Sequence, residues 1–360
     1  MKKEPFFPQH ETKFVHICHL LESLHLQAAD KVVFSSDTQF NAKQFHELTD
    51  HEQETTFTGF FIKFLDYFVT VSPTYLSYQI KPLNFCKDFP CTGIINGIIK
   101  SEFEKYYKAN FSNKDEAKKK LQLKYFNSEN KNMIVFSFVG RYVHQKGIDI
   151  LIAAIESLLK QENIRGKAQF LIGGYVHSYY SSNLQDVESG IKETIEKMKI
   201  LKTKYPDNFW AYMENKFFSD GKLFNFGSNF GIVPSRYEPC GLVQQEYFVA
   251  ETPVIATDEG GLHDTVFDDE VKMNGIFIKN LNVTGVEDAI KHAIDIYGKK
   301  EEHQKMCKNA KELCVDMMEN TVEEYAFIID RVARLGLFEN EIEEKMEQMN
   351  CLENVEYIKK

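Results

Sequence analysis

Met133-Ile-Val-Phe-Ser-Phe-Val139, then Gly140-Arg141-Tyr-Val-His144-Gln-Lys146-Gly147, then the apolar run Ile148 to Leu159, reads as strand, loop and helix. A seven-residue run, apolar but for Ser137 and bounded by a glycine, marks a strand covered on both faces, and the following run is long enough for three helical turns. The alternation continues downstream. Ala168-Gln-Phe-Leu-Ile172 is predicted as a strand, and Val187, Ile191, Ile195, Met198 and Leu201 share one helical face. Phe230 to Pro234 is a strand followed by a helix over 241–250, and Pro253 to Ala256 and Gly275 to Ile278 are two more strands. A capping box at Thr284 and Glu287 opens a further helix, and helices fill 301–335. Strands alternating with helices imply an α/β fold: a parallel sheet covered on both faces, with ligands at the carboxyl ends of the strands where the strand order reverses.

Upstream, Lys31 to Phe34 and Tyr67 to Val71 read as strands, Ser72-Pro-Thr-Tyr75 opens a helix, and Cys91 to Gly97 is a strand ending in a turn. Residues 100–131 are rich in Lys, Asn and Glu and poor in apolar periodicity. They read as a linker, with Lys114 to Lys124 as a solvated helix face.

The 360 residues are enough for two domains, and 43% apolar content can fill a core in each. A net charge of −10 argues against nucleic acid or a membrane surface as partner. No stretch approaches the roughly 20 apolar residues of a spanning helix, and the Met1 to Pro8 segment is no signal peptide. Seven cysteines without a Cys-x-x-Cys pair fit reduced thiols in a cytoplasmic protein, with Cys307 and Cys314 as core. His16 and His19 lack a third metal ligand at sensible spacing, and Asp268-Asp-Glu270 reads as a solvated turn ahead of a magnesium site. No metal site is expected.

Three clusters follow strands and carry the chemistry. Arg141 and Lys146, five residues apart on a strand-to-helix loop, suit a diphosphate whose charge grows as it leaves. Pro234-Ser-Arg236-Tyr237-Glu238-Pro239-Cys240-Gly241-Leu242 holds Glu238 in a loop bounded by proline and glycine, with Glu246 eight residues on. A carboxylate there can accept sugar hydroxyls or stabilise a cationic sugar carbon. Asp258-Glu259-Gly260-Gly261-Leu262 places paired glycines at a helix start, where backbone amides can approach phosphate. Gly173-Gly174 is read in the same way.

Taken in order, these clusters resemble the bacterial and plant type of starch and glycogen synthase. The matching segments are Thr70 to Tyr75, Gly93 to Gly97, Arg141 to Gly147, Pro234 to Gln244, and Gly260-Gly-Leu262 with Asp264-Thr-Val266. The resemblance runs from about Lys31 to about Tyr297. It implies a GT-B fold, with a Rossmann-like parallel-sheet C-terminal domain and, here, an incomplete N-terminal α/β domain. The expected layout is an acceptor-side part over 1–98, a linker over 99–131, a nucleotide-sugar-binding domain over 132–320, and C-terminal helices over 321–360 packing back toward the N-terminal part. The implied reaction moves glucose, with retention and without a metal or other cofactor, from ADP-glucose or UDP-glucose to the non-reducing end of an α-1,4-glucan. Glu238, Arg141 and Lys146 would be catalytic. Gly173, Gly174, Tyr237, Cys240, Gly241, Leu242, Glu246, Glu259, Gly260 and Gly261 would bind the donor.

The departures are specific. The family's N-terminal Lys-x-Gly-Gly loop is missing, so a start upstream of Met1, and with it a plastid location, stays open. Phe34-Ser-Ser-Asp37-Thr38 stands where the family has Thr-x-His-Asn, Asn96-Gly-Ile-Ile99 stands for Asn-Gly-Ile-Asp, and Glu259 replaces a threonine. Two alternatives follow: a non-catalytic nucleotide-sugar-binding or scaffold subunit, and a transferase of the same fold for another sugar.

Overall fold

The computed structural model describes residues 15–18, 67–80, 91–176, 189–214 and 216–335. The segments Lys31–Phe34 and Phe34–Thr38, and His19, lie outside them. The chain divides into two compact units, Met1–Asn96 with Glu319–Lys360, and Gly97–Met318.

In the first unit, β1 (Val15–Cys18), β2 (Tyr67–Thr70) and β3 (Cys91–Gly93) pair in parallel in that order. The Ser72 hydroxyl accepts the Tyr75 N–H at 3.2 Å and caps a short helical turn that Pro73 opens. Tyr67, Val69 and Ile94 bury themselves against Ile328 and Val332 of the last described helix.

The second unit carries the sheet foreseen from Met133 onward. Its strands are β4 (Ile134–Tyr142), β5 (Ala168–Val176), β6 (Phe209–Ala211), β7 (Phe230–Val233), β8 (Val254–Ala256) and β9 (Gly275–Phe277). All are parallel, in the order β6-β5-β4-β7-β8-β9. Alternate residues enter opposite cores because side chains on a strand alternate faces. Ile134, Phe136 and Phe138 go to one core and Val135 to the other. Phe136 stacks on Phe170 and Phe230 of the flanking strands, with ring centres 5.4 and 5.6 Å apart.

Among the described residues, the α-helices of five residues or more are α1 (Lys100–Asn110), α2 (Lys114–Phe126), α3 (Ile148–Lys160), α4 (Ser189–Lys204), α5 (Gly221–Gly227), α6 (Leu242–Val249), α7 (Gly261–Thr265), α8 (Val283–Gly298), α9 (Lys300–Glu312) and α10 (Val322–Leu335). Leu151, Ile152, Ile155, Leu158 and Leu159 of α3 join Ile191, Met198 and Leu201 of α4 and Ile290 and Ile294 of α8 on one face of the sheet. Residues from α1, α2, α5, α6 and α9 cover the other.

Three local expectations are corrected. Residues 100–126 form α1 and α2, where the sequence suggested a linker, because Phe103, Ala117, Leu121 and Phe126 give them a core-facing side. The α2 lysines are not all on a solvated face. Lys118 is 8% exposed, and its Nζ donates to the Lys131 carbonyl at 3.2 Å. The Lys114 Nζ donates to Ala250 O and Thr252 Oγ1. Long apolar stems let lysine bury its length once the ammonium finds acceptors. The cap of α8 is Asn282, whose side chain accepts the Gly285 N–H at 2.9 Å, while Thr284 lies inside the helix and Glu287 pairs with Lys291.

Candidate active site

Strand order reverses between β4 and β7: β5 and β6 extend the sheet one way, β8 and β9 the other. In open parallel sheets, ligands bind outside the carboxyl ends of the strands where the order reverses, which here is where the loops after β4 and β7 emerge. After β4 comes a single 3-10 turn, His144–Lys146, then Gly147 at φ 64°. A side chain at Gly147 would overlap the Pro234 carbonyl, so glycine lets the two loops touch.

Several bonds join these loops. The Arg236 N–H donates to Gln145 O at 2.8 Å, and Gln145 Nε2 donates to Tyr237 O at 2.9 Å. The Arg236 guanidinium grips both Asp149 oxygens at 2.7 and 2.6 Å and also donates to His144 O. Forked pairs of this kind fix orientation as well as charge. Burial pushes the Asp149 carboxyl up, but the bonded, charged Arg236 outweighs it and holds that group below the usual range.

Within this frame Glu238 is 5% exposed. Its Oε2 takes the Lys146 Nζ at 2.5 Å and the Ser235 hydroxyl at 2.8 Å. Thr257 Oγ1 donates to Ser235 O at 2.6 Å, tying the loop to the end of β8. Arg141, in β4 opposite Tyr175, makes no side-chain hydrogen bond or ion pair among the described residues.

The glycine pair after β8 packs against the same loop. Gly260 takes φ 53°, and a side chain there would overlap Glu238 O. The Gly261 N–H donates to Glu238 O at 2.9 Å. This corrects the expectation that both amides are free for phosphate, because one is used inside the site. Burial, then the charge of Asp258, raises the Glu259 carboxyl. Asp258 accepts His263 Nδ1 at 2.6 Å, and that bond raises the histidine.

Gly241, at φ 80°, starts α6. Tyr237, Cys240 and Gly241 therefore belong to the Glu238 loop, with Cys240 buried and Leu242 45% exposed. Glu246, one helical turn past Leu242, lies against α5, where Asn225 Nδ2 donates to it at 3.3 Å and burial raises its carboxyl. Gly173 and Gly174 do not sit at a helix start. β5 runs through them to Val176. A side chain at Gly173 would strike the Phe218 ring, and one at Gly174 the Gly140 carbonyl. Ser235, Arg236, Asp149, Gln145 and Gln244 were given no role from the sequence, although all but Asp149 lie in the motifs that carry the resemblance. Arg236, between a strand end and Glu238, carried the one available hint.

Among the described residues no three His, Cys, Asp or Glu side chains are placed to hold a metal ion, and no helix is long and apolar enough to cross a membrane. Asp269 accepts the Val271 and Lys272 N–H groups in a turn.

Residues 119–313, more than half of the chain, match the family described as Glycosyl transferases group 1. The chain is 31% identical over 264 residues to the glycogen synthase of Thermodesulfovibrio yellowstonii, covering 68% of this chain and 48% of that protein. It is 29% identical over 262 residues to granule-bound starch synthase 1, chloroplastic/amyloplastic, of Ipomoea batatas, covering 66% and 40%. The chain thus spans about half the length of the curated relatives it matches. Among solved structures, it superimposes on the catalytic domain of starch synthase IV from Arabidopsis thaliana bound to ADP and acarbose. The TM-score is 0.70 and the identity 21%, over 89% of this chain and 67% of that one. The fold is that of the GT-B glycosyltransferases.

Proposed function

This chain belongs to the glycosyl transferases group 1 family, and we propose that it moves glucose from ADP-glucose or UDP-glucose to the non-reducing end of an α-1,4-glucan, with retention. The observation that carries the reading is the Lys146–Glu238–Ser235 group, with Glu238 and Ser235 buried and Lys146 half-buried, at the switch point of the sheet. A cation and an acid held together where strand order reverses suit a donor whose diphosphate and sugar are contiguous.

In the reaction the bond from the sugar's anomeric carbon to the β-phosphate oxygen breaks and a bond to the acceptor hydroxyl oxygen forms. The hydroxyl proton is released, and the nucleoside diphosphate leaves with one more negative charge. Arg141 and Lys146 meet that charge, which is the kind of preorganised stabilisation that lowers such barriers. The Gly260 backbone approaches the donor from the β8 side. Glu238 accepts sugar hydroxyls and favours positive charge at the anomeric carbon. These cations carry the phosphate charge, so the proposal assigns no role to a metal. Neither nucleic acid nor a membrane is a proposed partner.

The test is transfer of radiolabelled glucose from ADP-glucose and UDP-glucose to glycogen, with nucleotide binding measured by calorimetry alongside. Incorporation that Glu238→Ala abolishes in a folded protein supports the assignment. No incorporation by the pure protein with nucleotide binding intact refutes it and favours a donor-binding subunit.

A further inference from the structure

We propose that Gln244 is a positioning residue that locks the glycine loop after β8 to the loop carrying Glu238, and so sets the donor sugar against the acid. The inference rests on the glucosyl-transfer reading above.

The amide of Gln244 is completely buried. Its Nε2 donates to Cys240 O at 3.1 Å and to Thr265 Oγ1 at 3.0 Å. The Thr265 hydroxyl donates onward to Gly261 O at 2.8 Å. The Gly261 N–H returns to Glu238 O at 2.9 Å. These bonds close a ring through Glu238, Cys240, Gln244, Thr265 and Gly261 that spans the loops of two strands. Asn274, itself completely buried, holds the far side by donating to Thr265 O at 3.0 Å.

Two further observations point to placement over simple core filling. Gly241 has no side chain, and one would overlap Gln244 Oε1, so the turn that opens α6 is shaped around this amide. That Oε1 has no hydrogen-bond partner among the described residues. A buried acceptor left so is unfavourable, and an apolar residue of the same length would avoid the penalty. Retaining an amide there is accounted for by the two bonds its nitrogen makes. Those bonds hold the Gly260 backbone, which approaches the donor, at a set offset from Glu238. An error of about 1 Å between groups that act on one substrate is enough to lose roughly a hundredfold in rate.

The test uses Gln244→Met, Thr265→Val, their double variant and Thr265→Ser, each in the full chain. Gln244→Met is expected to lower kcat about tenfold or more while the affinity for ADP changes less than about threefold. Thr265→Val should reproduce this, the double variant should be no worse than either single one, and Thr265→Ser should restore most of the rate. Hydrogen exchange provides a readout independent of turnover: peptides covering residues 258–267 should exchange faster in Gln244→Met while those of β4 and α3 do not. Unchanged kcat and unchanged exchange in folded Gln244→Met, or additive losses in the double variant, overturn the proposal. If the wild-type protein transfers no glucose, the functional reading fails, and the exchange experiment still decides the role of Gln244.

Discussion

Glu238→Gln should tighten the binding of a nucleoside diphosphate while it destroys transfer. Lys146 is bonded to the Glu238 carboxylate at 2.5 Å, with side chains 19% and 6% exposed. A diphosphate that recruits Lys146 must first draw it from that partner. A charge-assisted bond in such a setting contributes about 1.5–3 kcal/mol, and 1.4 kcal/mol is a factor of ten. Glutamine keeps the shape and can still meet the Ser235 hydroxyl, but it no longer holds an ammonium ion by charge. The affinity for ADP or UDP should therefore rise by about tenfold or more, because the wild-type cost of breaking the pair has gone. Calorimetry with ADP and UDP on wild type, Glu238→Gln, Lys146→Met and the double variant reads this directly. The gain should vanish in the double variant, which has no ammonium to release. Weaker or unchanged binding by Glu238→Gln, or a gain that persists without Lys146, refutes the idea that acid and phosphate compete for one cation.

Arg141→Ala should weaken ADP binding by about tenfold through loss of a charged phosphate contact, and calorimetry showing unchanged affinity removes that contact. Asn282→Ala should destabilise the protein by about 1 kcal/mol through loss of the α8 cap, whereas Thr284→Ala should cost much less; urea denaturation compares them. Burial lowers the Lys118 ammonium from 10.5 to about 8. Below that value both folded and unfolded chains hold the proton, and the burial penalty is fully present. As pH rises from about 8 toward 10.5, the folded chain releases the proton first, so stability increases and the penalty fades. Lys118→Met should therefore gain on wild type at pH 7 relative to pH 9.5 by about 2 kcal/mol, and a difference independent of pH contradicts this.

The alternation from Met133 onward was legible because a sheet covered on both faces needs apolar strands, and apolar strands at this spacing have few other readings. That Glu238 is held in a loop and is not a solvated surface charge was legible from the proline and glycine on either side of it. Its supporting groups were not. Asp149 looks like any acid in the first turn of a helix, where the macrodipole favours it, and its partner Arg236 is 87 residues away in the chain. The α2 lysines failed for a related reason. Composition shows five of them from Lys114 to Lys124, but the acceptors of Lys114, Ala250 and Thr252, lie 136 and 138 residues on. The helix-start placement of Gly173-Gly174 failed because β5 reaches nine residues, longer than a typical strand, so these glycines fall inside the sheet.

The forked Arg236–Asp149 contact has a consequence for how such a chain can change over generations. Lysine at 236 would keep the charge and lose the second prong, and asparagine at 149 would strand a guanidinium half out of water. Either step alone loosens the frame around Glu238, so substitutions at these two positions should survive only in company, as a single heritable unit.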